Sequence, residues 1–160
     1  PKVNARKSGY HRVKTKKTGI EVQGEEDLLV RLAHCCNPLP GDAITGFITR
    51  GRGISIHRFD CPRALDIDPE RQVDVNWTQQ APTEYPVTIN IYSIDTAGIL
   101  AELSKIFSES GISIKQANCQ TYDGGIAINT FYFQVDHVDR LRKVMHAVQR
   151  IPGVSRVERL

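Results

Sequence analysis

The sequence predicts an α+β protein in two parts, a small β-rich module built around cysteines followed by a ferredoxin-like βαββαβ domain. Two observations carry this. From residue 86 onward, apolar residues switch between a period of two and a period of 3.6 in the order β, α, β, β, α, β. Upstream, three of the four cysteines and two of the five histidines crowd into residues 34–61, among short alternating segments and turn residues.

In the first part, the mostly apolar run Asp27 to Ala33 predicts a strand leading into His34-Cys35-Cys36. Asn37-Pro38-Leu39-Pro40-Gly41-Asp42 is a dense turn signal. Ala43 to Thr49 alternates apolar and small polar residues, Arg50-Gly51-Arg52-Gly53 forms a tight basic turn, and Ile54 to His57 alternates again, so a hairpin is predicted. Asp60 is a good N-cap and Pro62 suits a first turn, which predicts a short helix over Cys61 to Leu65. Gln72 to Trp77 predicts one further strand, and Gln79 to Tyr85 reads as a linker.

The second part is more regular. Pro86 to Ser93 alternates as a strand. Asp95 or Thr96 then caps a helix running through Gly98 to Ser110, with Ile99, Leu100, Leu103, Ile106 and Phe107 on one face, and Gly111 stops it. Ile112 to Gln120 predicts a strand with Cys119 in its core, Asp123-Gly124-Gly125 a hairpin turn, and Ile126 to Val135 a third strand. Asp136 or His137 opens a helix carrying Val138, Leu141, Val144, Met145 and Val148; Pro152-Gly153 breaks it before a last strand from Val154. The expected division is a basic arm over 1–24, the cysteine module over 25–80 and the βαββαβ domain over 81–160.

Composition narrows the function classes. No apolar run reaches the ~20 residues that span a bilayer. A soluble, intracellular chain with reduced thiols is expected, because adjacent Cys35 and Cys36 make a poor disulfide framework. Starting at Pro1 points to a piece of something longer. The formal charge of +3 is concentrated: residues 1–20 hold Lys2, Arg6, Lys7, Arg12, Lys14, Lys16 and Lys17 and no acid. Such an arm gains affinity for polyphosphate through counterion release, or serves as a solvated linker.

Thiolate sulfur and imidazole nitrogen are the donors of tetrahedral zinc sites, and Cys-Cys-x20-His-x3-Cys offers four: Cys35, Cys36, His57 and Cys61. Adjacent cysteines in an extended strand point to opposite sides, so the backbone must turn there, and Asn37-Pro38 supplies the turn. His34 shares a strand face with Cys36 and competes as a ligand. The alternative is that these side chains pack as small buried groups. A cysteine–histidine nucleophile is disfavoured, since no oxyanion device accompanies it. No P-loop, His-Asp metal-hydrolase pair or nucleotide-binding carboxylate cluster is visible, so no catalytic site is expected.

At this level of detail the chain resembles a known family. Tyr85 to Leu160 resembles an ACT domain, with Asp95-Thr96-Ala97-Gly98-Ile99-Leu100 in the place of that family's D-x-x-G-[IL]-L loop. His34 to Gly46, with Gly51 to Cys61, is similar to the conserved-cysteine or zinc-finger module of the long RelA/SpoT stringent-response enzymes, and Tyr10-His11 resembles the segment entering it. The resemblance implies a cytoplasmic, catalytically silent regulatory region of a (p)ppGpp synthetase/hydrolase, whose catalytic domains lie upstream. It implies contact with ribosomal RNA and A-site tRNA and relay of amino-acid starvation. It also implies zinc on Cys35, Cys36, His57 and Cys61, and a homodimer binding a branched-chain amino acid at the ACT domain. Within this picture Arg50, Arg52, Arg58 and Arg63 are candidate RNA contacts, since flanking glycines let backbone approach phosphate and arginine grips it bidentately; the alternative is a solvated face. Few aromatics lie nearby, only Tyr10 and Phe59, so base readout is not expected. Asp95, Gly98 and Ile99 are read as a helix cap and close packing, or as a cradle for an amino acid with Asn118 as polar partner. The competing function is an amino-acid-sensing ACT dimerisation module without RNA contact.

Overall fold

The computed structural model describes residues 19–22, 29–51, 53–78 and 84–160. Most of the basic arm, including Tyr10 and His11, together with Asp27, Leu28, Arg52 and most of the 79–85 linker, lies outside the described residues.

The cysteine module holds β1 (Ile20–Val22), β2 (Val30–Leu32), β3 (Ile44–Thr49), β4 (Gly53–Arg58), the short helix α1 (Pro62–Leu65), a 3-10 turn (Pro69–Arg71), β5 (Gln72–Val73) and β6 (Val75–Trp77). Four of these strands form a sheet in the order β2-β4-β3-β5, and β1 pairs with β6 in a separate antiparallel ribbon. The predicted hairpin is β3 and β4, paired from Ile44↔Arg58 to Thr49↔Gly53. Three expectations are corrected. Apolar patterning starts at Ile20 rather than at Asp27: Ile20 and Val22 are buried on one face of β1, a strand too short to announce itself. The single strand expected over 72–77 divides at Asp74, its first half adding to β3 and its second to β1. Finally, Cys61 and not Asp60 is the N-cap of α1, with extended backbone and no capping side chain.

The second domain follows the predicted order: β7 (Tyr85–Ile94), α2 (Ile99–Glu109), β8 (Ile114–Tyr122), β9 (Ile126–Val135), α3 (Val138–Gln149) and β10 (Val154–Arg159). Its antiparallel sheet has the order β10-β7-β9-β8. One face is buried because most alternate residues of β7 and β9 are apolar: Val87, Ile89, Ile91, Phe131, Phe133 and Val135 are essentially inaccessible, with the polar Ser93 and Asn129 at one end of the same face. Ile99, Leu103 and Phe107 of α2 and Val138, Leu141, Val144 and Val148 of α3 close over them. Leu100 is 45% exposed and sits off this face, one residue round the helix from Ile99. The N-cap of α2 is Gly98, left-handed at φ 87°, so neither Asp95 nor Thr96 caps it. The N-cap of α3 is His137, whose Nδ1 accepts from the Asp139 amide at 3.0 Å. Edge strand β8 is exposed along almost its whole length, Cys119 included, so Cys119 is not a core residue.

The turn at residues 37–42 joins the two parts. Leu39 is fully buried within the hydrophobic core of the second domain, a side chain whose burial contributes roughly 1.5–3 kcal/mol. The Pro40 carbonyl accepts the Val138 amide at 2.9 Å, satisfying one of the free donors at the start of α3. Gly41, at φ 94°, lies so close to α3 that a Cβ there would meet His137 at 2.6 Å and Val138 at 2.7 Å. Asp42 takes the Arg159 guanidinium bidentately at 2.7 and 2.9 Å and also accepts the Leu39 amide at 2.7 Å. Arg159 donates in addition to the Asn37 carbonyl at 3.0 Å, and the Trp77 indole N–H to the Asp42 carbonyl at 3.0 Å. Both charged side chains are largely buried. Arg159→Met therefore leaves a buried carboxylate without its counter-charge, and a loss of about 3 kcal/mol is expected in denaturant unfolding. The double variant Asp42→Leu/Arg159→Met, which removes both charges, is expected to lose less.

Candidate metal centre

The turn at Asn37 determines whether the cysteine cluster exists. Asn37 has φ 43°, the only non-glycine residue with positive φ among the described residues. Asparagine tolerates this left-handed conformation better than most side chains. The reversal lets Cys35 and Cys36 face the same place despite being adjacent. His57 enters from the end of β4, and Cys61 from the N-cap of α1.

The four donor atoms all lie within 4.8 Å of one another. Cys35 Sγ stands 3.4 Å from His57 Nδ1, 3.6 Å from Cys61 Sγ and 4.0 Å from Cys36 Sγ; Cys36 Sγ is 4.0 Å from His57 Nδ1. Zinc–sulfur bonds near 2.3 Å and zinc–nitrogen bonds near 2.05 Å in a tetrahedron give S···S about 3.8 Å and S···N about 3.5 Å. The donor set therefore fits a four-coordinate ion with little rearrangement. His34 is exposed and is not part of the cluster.

The surroundings prepare these donors. The other ring nitrogen of His57, Nε2, lies 3.0 Å from Ser55 Oγ, which sets the ring's orientation and turns Nδ1 toward the sulfurs. Burial, helped by the positive charge of Arg31, lowers the His57 pKa, so its imidazole is neutral at pH 7 and has a lone pair to give. Burial pushes the Cys36 thiol up to about 12, and the Arg58 amide at 3.3 Å from its sulfur only partly opposes this. Cys35 is raised, first by burial and then by Cys61. Cys61 is lowered despite its burial, because the amides of Ala64 and Arg63 at the start of α1 and the Cys35 thiol favour its thiolate. The thiolate is thus favoured at Cys61 and disfavoured at Cys35 and Cys36, a difference that a cation among them would offset.

Ser55 was missed in the sequence, although its signal was present: residues 55 and 57 share one face of β4. The arginines do not form a single patch. Arg50 is exposed at the β3–β4 turn, whereas Arg63, also exposed, and the half-buried Arg58 lie at the opposite end of the hairpin; Arg52 lies outside the described residues. Asp95 and Gly98 are exposed, while Ile99 packs into the core as close-packing requires. Asn118 pairs across the sheet with Thr130, and through it is level with Asn90 rather than with the 95–98 loop. That places it five residues, about 17 Å, back along the strands from Asp95. The structure does not bring it to that loop.

Comparison with known proteins follows the same division. Residues 20–78 match the RelA/SpoT RIS domain and residues 81–159 the ACT domain. A GTP pyrophosphokinase of Myxococcus xanthus is 42% identical over 92% of this chain and 19% of its own length. The bifunctional (p)ppGpp synthase/hydrolase RelA of Mycobacterium tuberculosis is 32% identical over 91% of this chain and 20% of its own. The chain therefore spans about a fifth of the length of these relatives. The solved ACT domain of a GTP pyrophosphokinase from Chlorobium tepidum aligns with 49% of this chain and all of its own, at 26% identity and a TM-score of 0.45.

If the four side chains act as a set, Ser55→Ala weakens binding of Zn²⁺ or Co²⁺ by about 10–100-fold while leaving all four donors in place. Competition with a chromophoric chelator measures this. Cys61→Ser is expected to weaken binding further and to change the thiolate-to-Co²⁺ absorption.

Proposed function

Since the chain belongs to the RelA/SpoT family, as the RIS and ACT regulatory domains of such a protein, we propose that it contacts ribosomal RNA and A-site tRNA in the cytoplasm. In that role it relays amino-acid starvation to upstream domains that synthesise or hydrolyse (p)ppGpp. The observation carrying this reading is the open basic turn at the tip of the β3–β4 hairpin. Arg50 is exposed there, and Gly51, at φ 73°, has no heavy atom within 4 Å of where a Cβ would stand. Backbone and guanidinium can approach a phosphate together at such a turn. Arg63 offers a second exposed cation at the other end of the module, and Arg52 belongs to the same basic turn in the sequence.

Zinc on Cys35, Cys36, His57 and Cys61 is structural in this reading. It ties the β2–β3 turn, the end of β4 and the start of α1 together, and supplies the charge that stabilises three thiolates. Without it, the module has small cores: Ile20, Val22, Ile54, Ile56 and Val75 in one, Ala33, Cys36, Phe47, Cys61 and Ala64 in another.

A second reading, a homodimer that senses a branched-chain amino acid without RNA, draws support from β8. Among the described residues this strand ends the sheet with one side unpaired and residues 115–122 exposed, a surface suited to pairing with a second copy.

Ribosome co-sedimentation at graded salt separates the two. Arg50→Ala and Arg63→Ala are each expected to weaken binding and to reduce the log–log salt slope by about 1, as one phosphate fewer is neutralised in each. Unchanged affinity in both variants, together with a leucine- or valine-induced rise in Tm and a concentration-dependent dimer, favours the second reading.

A further inference from the structure

Between the cysteine module and helix α3 lies a cleft of about 440 Å³, within the range of small-molecule sites. It is lined by Arg58, Phe59 and Asp60 from the module, by Leu141, Arg142 and Met145 of α3, and by Arg159. Arg58 is the unusual residue. Its side chain is only 18% exposed, yet its nearest carboxylate, Asp60, is 4.0 Å away and itself 77% exposed. Its Nε is buried with no hydrogen-bond partner among the described residues, and the same holds for Arg159 Nε. A guanidinium presents five donors in a rigid fork, and leaving a buried one unsatisfied is costly. Arg159 has its Asp42 and Asn37 partners; among the described residues the Arg58 side chain has only Asp60, at 4.0 Å.

We propose that this cleft binds a small oxyanion, a phosphate or carboxylate group carried on a compact apolar or aromatic body, with the Arg58 guanidinium as its anchor. Of the arginines lining the cleft, Arg159 is neutralised by Asp42 and Arg142 lies 3.3 Å from Asp139, so Arg58, 4.0 Å from the exposed Asp60, is the cation least engaged and the one available to an anion. The body of the ligand would lie on Met145, which is only partly buried. Phe59, 66% exposed and also lining the cleft, offers a ring face or edge to it. A small molecule is favoured over an RNA backbone because Arg58 is recessed. A phosphate on a duplex reaches the exposed Arg50 and Arg63 first, whereas a free anion can enter the cleft.

The site has a structural consequence. Its walls come from both parts of the chain, and Arg58 is bound through its own amide to Cys36 Sγ. Occupancy would therefore add a bridge between the cysteine cluster and α3 beside the Asp42–Arg159 pair. This goes beyond ribosome contact and does not require it.

The test is titration of the whole chain with three probes sharing one aromatic ring, phenyl phosphate, phenylacetate and neutral benzyl alcohol, followed by amide chemical shifts. Saturable shifts at Phe59 and along Leu141–Met145 are expected with at least one anion and not with the alcohol. Saturation by phenyl phosphate alone identifies a phosphate ligand, and by phenylacetate alone a carboxylate ligand. Arg58→Gln is expected to weaken binding at least tenfold. Arg58→Lys, which keeps the charge and removes the fork, should fall between. Met145→Trp, filling the cleft, should abolish binding with Arg58 intact. The proposal is overturned if neither anion saturates, if folded Arg58→Gln and Arg58→Lys bind like the parent, or if a short RNA duplex shifts the same amides at lower concentration than either anion.

Discussion

The arrangement of this chain depends on one buried ion pair, Asp42 with Arg159, contributed by residues 117 positions apart. Removing two charges from water costs several kcal/mol per ion, and the attraction between them offsets this only when the remaining donors and acceptors are also met. Here most are met: the carboxylate takes both arms of the guanidinium and the Leu39 amide, and the guanidinium reaches the Asn37 carbonyl as well. A hydrophobic pair of similar volume would hold the two surfaces together about as well. What the ion pair adds is direction, since a planar fork meeting a carboxylate accepts few relative orientations. The last residues of β10 are thereby fixed against the turn that carries the cysteines.

The cysteine cluster poses the same problem with the opposite sign. Three thiols and an imidazole stand within contact of one another, and Cys36 and Cys61 are almost inaccessible. The first turn of α1 lowers the cost of one thiolate at Cys61, while burial raises the cost of another at Cys36. Packing alone would not select this set, because a small apolar residue fills the same space without the electrostatic burden. The chemistry of the donors, their spacing within 4.8 Å and the orientation of His57 by Ser55 make a set that could hold a cation.

How legible each part is in the sequence follows from the range of the forces involved. The alternation in β7 and β9 is readable because one face of that sheet is buried from end to end, which leaves a strict period of two. The metal-competent side chains are readable because their types are rare and clustered. Cys119 is misplaced by the sequence because alternation in β8 suggests burial, whereas an edge strand beyond the reach of α2 and α3 leaves both faces wet. The division at Asp74 is hidden because Gln72 to Trp77 alternates without interruption, and only pairing with β3 and then β1 reveals two strands. Arg58 looks like one surface arginine among four, yet differs from Arg50 in burial, which depends on where α3 docks. Asp42 and Arg159 carry no local signal at all.

Residues 36–42 serve both the cluster and the docking, which constrains how one can influence the other. Cys36 faces the metal donors, the Asn37 carbonyl is held by Arg159, Leu39 is inside the second core, Pro40 caps α3, Gly41 touches His137 and Asp42 holds Arg159. Nearly every residue of the turn is pinned to something, and the positive φ values at Asn37 and Gly41 leave it few alternative shapes. A packed junction of this kind does not bend progressively; its members hold or release together. Rotation of the second domain against the module would break the Asp42 pair, withdraw Leu39 and uncap α3 in one event, and Cys36 lies one peptide bond from the first of these anchors. The cluster and the domain junction are therefore joined through a short, stiff segment, without any need for a longer path across the protein.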